Sequence, residues 1–260
     1  MPPIALSIAG SDPSGGAGIQ ADLKTFHQFG VYGEAVITLL TVQNSMELSR
    51  VEVMPADLVF DQLEAVLRDI PPQAAKTGAL GSAEVVEAVA RALRGHEFPL
   101  VVDPVTISKH GRALLDDRAV EAVSALLLPL AALFTPNAPE AAAFSGMAIQ
   151  SLDDARRAAD RVHRLGARAV LIKGGHLAGD AVDLLSDASG FREFPAPRIS
   201  TRHTHGCGCT YSAAITAGLA CGFGLPDAIA RAKRYIHEAI RTAPGLGCGS
   251  GPLNHHAEVS

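Results

Sequence analysis

Two patterns of hydrophobic and polar positions alternate along the chain up to Gly175. The first is a short apolar run that ends in glycine, proline, asparagine or aspartate, and it recurs at residues 4–10, 32–43, 74–80, 99–105, 132–137 and 169–175. The second is an amphipathic run with helical spacing, found at residues 19–30, 56–69, 83–94, 117–127, 139–146 and 152–166. Apolar strands that alternate with amphipathic helices predict an α/β fold, with a mainly parallel sheet covered by helices on both faces.

The pattern changes after Gly175. Three short runs at 181–187, 191–195 and 198–200 are predicted to be antiparallel strands, and helices are predicted at 210–222 and 226–243. No linker, repeat or low-complexity segment interrupts the sequence, so we expect residues 1–260 to form a single domain.

Composition and charge exclude several classes of protein. With 48% hydrophobic and 19% charged residues, the chain is not of the disordered class. A net charge of −5 without a Lys/Arg run makes nucleic acid a poor partner. The longest apolar run, 122–134, is too short to cross a bilayer, and the N-terminus lacks the charged start of a signal peptide. We therefore expect a cytoplasmic protein without a membrane partner, whose four cysteines form no structural disulfides.

Polar residues and glycines follow six of the predicted strands. They are Gly10-Ser11-Asp12, Gln43-Asn44, Lys76-Thr77-Gly78, Asp103-Pro104-Val105, Thr135-Pro136-Asn137 and Lys173-Gly174-Gly175. The carboxyl ends of parallel strands meet at one edge of a sheet, which is where such folds bind ligands. The sequence therefore predicts a binding site at this edge.

Two glycine-rich segments lead into predicted helices. In residues 10–26, the backbone N–H groups at the helix start could hold an anion, although a tight turn would also need the glycines. Asp22, one turn inside that helix, could contact a ligand or only cap or pair.

The segment from His203 to Cys209 contains a His-x-His, a Cys-x-Cys and two glycines. The histidine and cysteine spacings differ from those of zinc sites. A disulfide between Cys207 and Cys209 would close a strained ring. We interpret Gly206-Cys207-Gly208-Cys209 as a phosphate-binding loop at the positive end of a helix, where the Cys209 thiolate would be favoured.

Three further candidates have two interpretations each. Asn137 and Glu140 could hold Mg²⁺ from one face of a helix, or form a capping box, which the pattern alone favours. Asp103 could be a functional carboxylate or a helix cap. Lys173 could face nucleotide phosphates or be an exposed lysine at a turn.

Taken together, these segments resemble the hydroxymethylpyrimidine/phosphomethylpyrimidine kinases of thiamine biosynthesis, within the ribokinase-like superfamily. The resemblance runs from end to end and is carried by GSDPSGGAGIQADLKTF, TVQN, KTGAL, VVDPV, TPNAPEA, LIKGGH, THGCGCT and GPLNHH. It implies a three-layer α/β/α fold, usually homodimeric. It also implies that ATP, with Mg²⁺, phosphorylates 4-amino-5-hydroxymethyl-2-methylpyrimidine and then its monophosphate.

The resemblance also implies roles for individual residues. The pyrimidine would lie against Gln43, Gly10, Asp22, Ala79 and Val105. The nucleotide would lie against Lys173, Thr135 and Asn137, and Mg²⁺ would be organised by Asn137, Glu140 and Asp103. Gly206, Cys207, Gly208 and Cys209 would form the anion hole, with Cys209 at the position where most ribokinase-like enzymes have a catalytic aspartate.

The chain departs from the family pattern near the expected substrate. His203 replaces the Asn of NTHGTGC and Cys207 replaces its second Thr, whereas the first Thr is kept as Thr204, and Thr106, Ser108 and His110 change the DPVM-x-AKSG segment. These departures leave open a kinase that prefers a pyridoxal-type alcohol. A non-catalytic pyrimidine or nucleotide sensor is the alternative of a different class, and the full set of metal, phosphate and base candidates argues against it.

Overall fold

The structure is a computed structural model, and it describes residues 1–259. One mixed sheet of nine strands runs through it in the order β3-β2-β1-β4-β5-β6-β7-β8-β9. The strands are β1 (Ile4–Ser11), β2 (Tyr32–Gln43), β3 (Leu48–Val53), β4 (Ala74–Thr77), β5 (Leu100–Val102), β6 (Leu133–Phe134), β7 (Val170–Ile172), β8 (Asp183–Asp187) and β9 (Gly190–Phe194). Six neighbouring strands, β2, β1, β4, β5, β6 and β7, are parallel to one another. The strands that pair antiparallel lie at the two edges, β3 at one and β8 with β9 at the other.

Helices cover both faces of the sheet. They are α1 (Gly18–Gln28), α2 (Ala56–Asp69), α3 (Ala83–Leu93), α4 (Asp117–Ala122), α5 (Ala138–Ser145), α6 (Leu152–His163), α7 (Cys207–Ala220) and α8 (Leu225–Arg241). Side chains of α2 to α6 pack in one hydrophobic cluster, whereas those of α1, α7 and α8 pack in the clusters of the opposite face.

The central strands are apolar throughout because both of their faces are buried. In β5, Leu100 and Val102 point into one cluster and Val101 points into the other, and all three are at most 3% exposed. The predicted layers are therefore the observed ones.

Two predictions of local structure were wrong. Strand β3 was not predicted, because Leu48–Val53 has an exposed charge at every second position and only one buried side chain. Residues 198–200, predicted as a strand, do not form one.

Helix α7 begins at Cys207, three residues before the predicted start at 210. Glycine has a low helix propensity, so the sequence around Gly206 and Gly208 predicts a loop. In the structure only Gly206 lies outside the helix, as its N-cap. Cys207, Gly208 and Cys209 form the first helical turn.

The chain direction across the sheet changes between β1 and β4. From β1 the chain moves to β2 and β3 on one side, and β4 then continues on the other side of β1. The segments that follow β1 and β4 lead to helices on opposite faces, which opens a crevice at their carboxyl ends. Five of the six predicted strand ends contribute polar residues to this crevice, whereas Lys76, at the end of β4, is fully buried behind it.

Candidate active site

A cavity of about 630 Å³ lies at the carboxyl edge of the sheet. Of the predicted residues, the structure places in its wall Gly10, Gln43, Ala79, Asp103, Val105, Asn137, Glu140, Lys173, Gly206, Cys207, Gly208 and Cys209. Asp22 and Thr135 do not line it. Asp22 is fully buried on the inner face of α1, and Thr135, 1% exposed, donates a hydrogen bond to Asp103 at 3.2 Å. Both therefore act from behind the wall, and the prediction of direct ligand contact is corrected for them.

The two glycine-rich segments pack against each other at the cavity. Gly206 has a positive φ of 80°, and a Cβ atom there would lie 1.8 Å from the carbonyl oxygen of Gly16. Only glycine allows this contact between the two backbones. Beyond it, the N–H groups of Gly208 and Cys209 belong to the first turn of α7, where an α-helix has no internal acceptors. N–H groups at a helix start can bind an anion, and Gly208 and Cys209 both line the cavity.

An aspartate–histidine pair ties the same two segments together. His205 Nε2 lies 2.8 Å from Asp12 Oδ2, and His205 is 4% exposed. The Asp12 carboxylate also accepts hydrogen bonds from the backbone of Gly16 and Ala17. Burial raises the pKa of Asp12, but hydrogen bonds from His205 and Ser14 outweigh it and hold that pKa well below its ordinary value. The pair therefore fixes the loop that Gly206 packs against.

Lys173 lies between two carboxylates. Its Nζ is 2.8 Å from Asp103 Oδ1 and 3.8 Å from Glu140 Oε2. Burial alone would lower the pKa of Lys173, but the attraction of Asp103 and Glu140 outweighs it and raises that pKa. Ser212 donates to Asp103 Oδ2 at 3.1 Å. Burial raises the pKa of Asp103, but Lys173 and Lys76 outweigh it, so Asp103 stays ionised.

The capping-box interpretation of Asn137 and Glu140 is confirmed. Asn137 Oδ1 accepts the N–H of Glu140 at 2.9 Å, and Glu140 Oε2 accepts the N–H of Asn137 at 2.8 Å. Burial raises the pKa of Glu140 to about 7, although Lys173 opposes the shift.

The same residues fit a divalent cation. Two buried carboxylates share a single ammonium, Lys173, so one negative charge remains unbalanced. Carboxylate oxygens are the donors that Mg²⁺ prefers, and the raised pKa of Glu140 shows that another cation would stabilise its ionised form. Capping and Mg²⁺ binding are therefore compatible roles for Glu140.

The expectation of a Cys209 thiolate is wrong. Burial raises the pKa of Cys209 to about 12, and although Lys76 opposes this, Asp22 and Asp103 reinforce it. Burial likewise raises the pKa of Cys207 to about 12. Both cysteines line the cavity as protonated thiols near neutral pH.

A buried ion pair lies behind Cys209. Lys76 Nζ is 2.7 Å from Asp22 Oδ2, and both side chains are fully buried. Ser7 donates to the same oxygen at 2.5 Å. Of the two roles left open for Asp22, pairing is the one observed.

The opposite end of the cavity contains charged residues that the sequence analysis missed. Lys233 on α8 is 2.7 Å from Asp183 Oδ2 on β8. The Arg198 guanidinium donates to the carbonyl groups of Gly175, Leu177 and Gly179. Asp183 and Lys233 are 50 residues apart, so only the fold brings them together. These residues and Lys173 line the same cavity.

Residues 105–114 fold over the cavity and are held at three points. Lys109 Nζ donates to Thr204 Oγ1 at 2.7 Å, and His110 Nε2 lies 3.2 Å from the Asn44 carbonyl oxygen. Arg112 donates to the Ser49 carbonyl at 2.9 Å. Val105 and Thr106 of this segment line the cavity, as does Gln43. The residues that depart from the family pattern therefore adjoin the expected pyrimidine position.

The segment from His203 to Cys209 does not converge on one point. Among residues 1–259, no group of three or more His, Cys, Asp or Glu side chains is placed to hold a metal ion. All four cysteines are free. His203 Nδ1 instead accepts the N–H of Gly251 at 3.2 Å, and His205 faces Asp12.

Within the same residues, no helix is long and apolar enough to cross a membrane.

Known proteins share both the sequence and the fold of this chain. The family model described as phosphomethylpyrimidine kinase matches residues 12–254. A hydroxymethylpyrimidine/phosphomethylpyrimidine kinase of Streptomyces coelicolor is 50% identical over 98% of this chain and 94% of its own length. A thiamine biosynthesis bifunctional protein of Geobacter sulfurreducens is 52% identical over 96% of this chain, which spans 51% of that longer protein.

Solved structures agree with these relatives. The phosphomethylpyrimidine kinase of Clostridium difficile has a TM-score of 0.82 at 44% identity, covering 92% of this chain and 99% of that one. A Bacillus subtilis pyridoxal kinase in complex with ADP has a TM-score of 0.91 at 38% identity, covering 99% and 98%. The predicted ribokinase-like fold is thereby confirmed. The chain belongs to the phosphomethylpyrimidine kinase family, and it is a kinase.

Proposed function

We propose that this kinase transfers the γ-phosphoryl group of ATP to the hydroxymethyl group of 4-amino-5-hydroxymethyl-2-methylpyrimidine, and then to the resulting monophosphate, in thiamine biosynthesis. The observation that carries the proposal is a single cavity with Gln43 at one end, the first turn of α7 at its centre, and Lys173 with its carboxylates toward the other. These are the pyrimidine, transfer and nucleotide positions, in the order that the reaction requires.

The chain's own residues would act mainly by position and charge. Gln43 can both donate to and accept from an aminopyrimidine edge. The N–H groups of Gly208 and Cys209 would hold the phosphoryl group during transfer, and Lys173 would neutralise charge beside it. Phosphoryl transfer passes through a loose transition state in most analyses, so alignment of alcohol and phosphate contributes more than covalent chemistry.

Two groups would complete the site. Asn137, Glu140 and Asp103 would hold Mg²⁺, directly or through water, and the ion would supply charge neutralisation on the ATP phosphates. The first transfer releases the hydroxyl proton of the alcohol, and Cys209 is the ionisable side chain that lies at the transfer position. Because its pKa is about 12, the thiol must first release its own proton to solvent, and only the resulting thiolate can accept the proton of the alcohol as the bond to phosphorus forms.

A pyridoxal-type alcohol is the second candidate substrate. The structural similarity to the Bacillus subtilis pyridoxal kinase favours it, as do the changed residues Thr106, which lines the cavity with Gln43, and His110, which contacts the carbonyl group of Asn44. Values of kcat/KM for the two alcohols, measured with the same enzyme and saturating ATP, distinguish the candidates. We expect the pyrimidine alcohol to have the larger value, and a large preference for pyridoxal would overturn the proposal.

We also propose a cytoplasmic homodimer. Four free cysteines suit a reducing compartment. Leu40 and Val42, two residues apart on β2, are 44% and 56% exposed and point away from the cavity beside the edge strand β3. A second copy of the chain would cover this apolar surface. Light scattering should show a dimer that Leu40→Glu with Val42→Glu converts to a monomer, and a monomeric wild type would contradict the proposal.

A further inference from the structure

Lys109 is a cation at the cavity whose charge no carboxylate of residues 1–259 balances. Lys173 is paired with Asp103 and Glu140, and Lys233 is paired with Asp183. The guanidinium of Arg198 is engaged by three carbonyl groups. Within residues 1–259, Lys109 has no ion-pair partner, and its one hydrogen bond is to the neutral hydroxyl of Thr204. Its positive charge is therefore available to a bound anion.

The position of Lys109 is close to the phosphoryl-transfer position. The carbonyl oxygen of Thr204, whose hydroxyl Lys109 contacts, accepts the N–H of Cys207 at 3.3 Å. The ammonium is thus anchored at Thr204, three residues before Cys207, where α7 begins. Burial is the largest effect on the pKa of Cys207 and raises it, and the charge of Lys109 is the largest effect that opposes this. Burial and the charge of Lys173 lower the pKa of His176, and the charge of Lys109 adds to this shift. Lys109 therefore faces the cavity from the segment above it.

The two proposed transfers differ in what they require here. In the first, the acceptor is a neutral alcohol. In the second, an oxygen of the monophosphate forms a bond to the γ-phosphorus of ATP, and the bond from that phosphorus to the β-bridging oxygen breaks, its electron pair leaving with ADP. A phosphomonoester carries about 1.5 to 2 negative charges at pH 7, so it needs no base but is repelled by the phosphates of ATP.

We propose that Lys109 is the specificity-determining residue for the phosphorylated acceptor, binding the monophosphate in the second transfer. The inference rests on the proposed function and deepens it. The ammonium forms a charge-assisted hydrogen bond with the acceptor phosphate and offsets its repulsion from ATP. The neutral alcohol of the first transfer gains little from the same charge.

The test compares the two acceptors separately, each with saturating ATP and Mg²⁺. Lys109→Met should lower kcat/KM for the monophosphate by about 10-fold to 100-fold, the effect of losing a hydrogen bond to a charged group. For the alcohol it should lower kcat/KM by no more than about 5-fold, the scale of an exposed charge. The monophosphate should then accumulate in reactions started from the alcohol, and Lys109→Arg should restore most of the second transfer.

Arg112→Met is the matched control, because Arg112 anchors the same segment at Ser49 but does not line the cavity. It should change the two values of kcat/KM by equal factors. Equal losses for both acceptors in Lys109→Met, no loss for either, or a selective loss in Arg112→Met would overturn the inference, as would a wild type that phosphorylates the alcohol alone. A wild type that phosphorylates neither acceptor would instead overturn the proposed function.

Discussion

At the scale of single residues, Asp22 and Thr135 lie behind the cavity wall and hold the residues that line or adjoin it. Asp22 and Thr135 support Lys76 and Asp103, which in turn face Cys209 and Lys173. A ligand at the cavity wall is thus surrounded by a second layer of charges. These charges set which groups are ionised, and the raised pKa of Cys209 is one result.

Gln43 should determine affinity for the pyrimidine and not for ATP. It lines the cavity at the end of β2, far from Lys173 along the sheet. Gln43→Leu should raise the KM for the pyrimidine alcohol by a factor that corresponds to about 1–3 kcal/mol, because the amide hydrogen bonds are lost in a dry pocket. Gln150→Leu, at an exposed position outside the cavity, is the control. An unchanged KM for the alcohol would refute the contact.

Cys209 should contribute to the first transfer more than to the second. Only the alcohol has a proton to lose, and only the minor thiolate form of Cys209 can accept it, so Cys209→Ala should lower kcat for the alcohol by about 10²-fold, the lower end of the usual effect of removing a general base. The monophosphate should be affected less. Cys207→Thr, which replaces the neighbouring thiol, should keep most of the activity. Equal losses for both acceptors, or equal losses in the two variants, would show that Cys209 has only a packing role.

At the scale of elements, the sequence was sufficient where apolar periodicity was strong. Helix α2 (Ala56–Asp69) has its predicted bounds, as does β2 (Tyr32–Gln43). Strand β3 and the start of α7 could not be predicted. Strand β3 is held by pairing with β2 and not by burial. The start of α7 is held by contact with the loop at Asp12 and Gly16, about 190 residues earlier in the chain.

The two ends of α7 provide a test of the loop contact. Gly206 and Gly222 flank the helix and both have positive φ, but a Cβ at Gly222 meets nothing within 4 Å. Gly222→Ala should therefore cost only the strain of a left-handed residue, about 1–2 kcal/mol, and keep its activity. Gly206→Ala adds a clash with Gly16 and should lose more stability and most of its kcat. Denaturant unfolding and steady-state kinetics give both values, and identical behaviour of the two variants would argue against a close packing of the loops.

Contact between β2 and α2 should make stability depend on pH. Burial raises the pKa of Glu34 to about 7 from 4.5, and repulsion from Asp69 at the end of α2 adds to it. Because the folded protein binds this proton more tightly than the unfolded chain, the contribution is favourable below pH 4.5 and is lost as the pH rises through 7. Glu34→Gln should match the wild type in Tm at pH 4.5 and exceed it at pH 8. The exposed Glu121→Gln should show no such change, and a constant difference across this range would contradict the assignment.

At the scale of the whole molecule, the fold converts short polar signals into one site. The six strand ends predicted from the sequence do meet at one edge, since parallel order alone ensures it. Lys109, Asp183 and Lys233 were missed because they come from a covering segment, an antiparallel strand and a helix, where no spacing rule applies. The central claim is therefore that one cavity performs two successive transfers.

The most direct measurement is the ratio of ADP formed to pyrimidine alcohol consumed, with the products separated over time. Purified enzyme with excess ATP and Mg²⁺ should form the monophosphate first and then the diphosphate, ending at two ADP for each alcohol. ADP formation should require both the alcohol and Mg²⁺. One ADP for each alcohol, with the monophosphate as the final product, or ADP formation without any alcohol, would contradict the account.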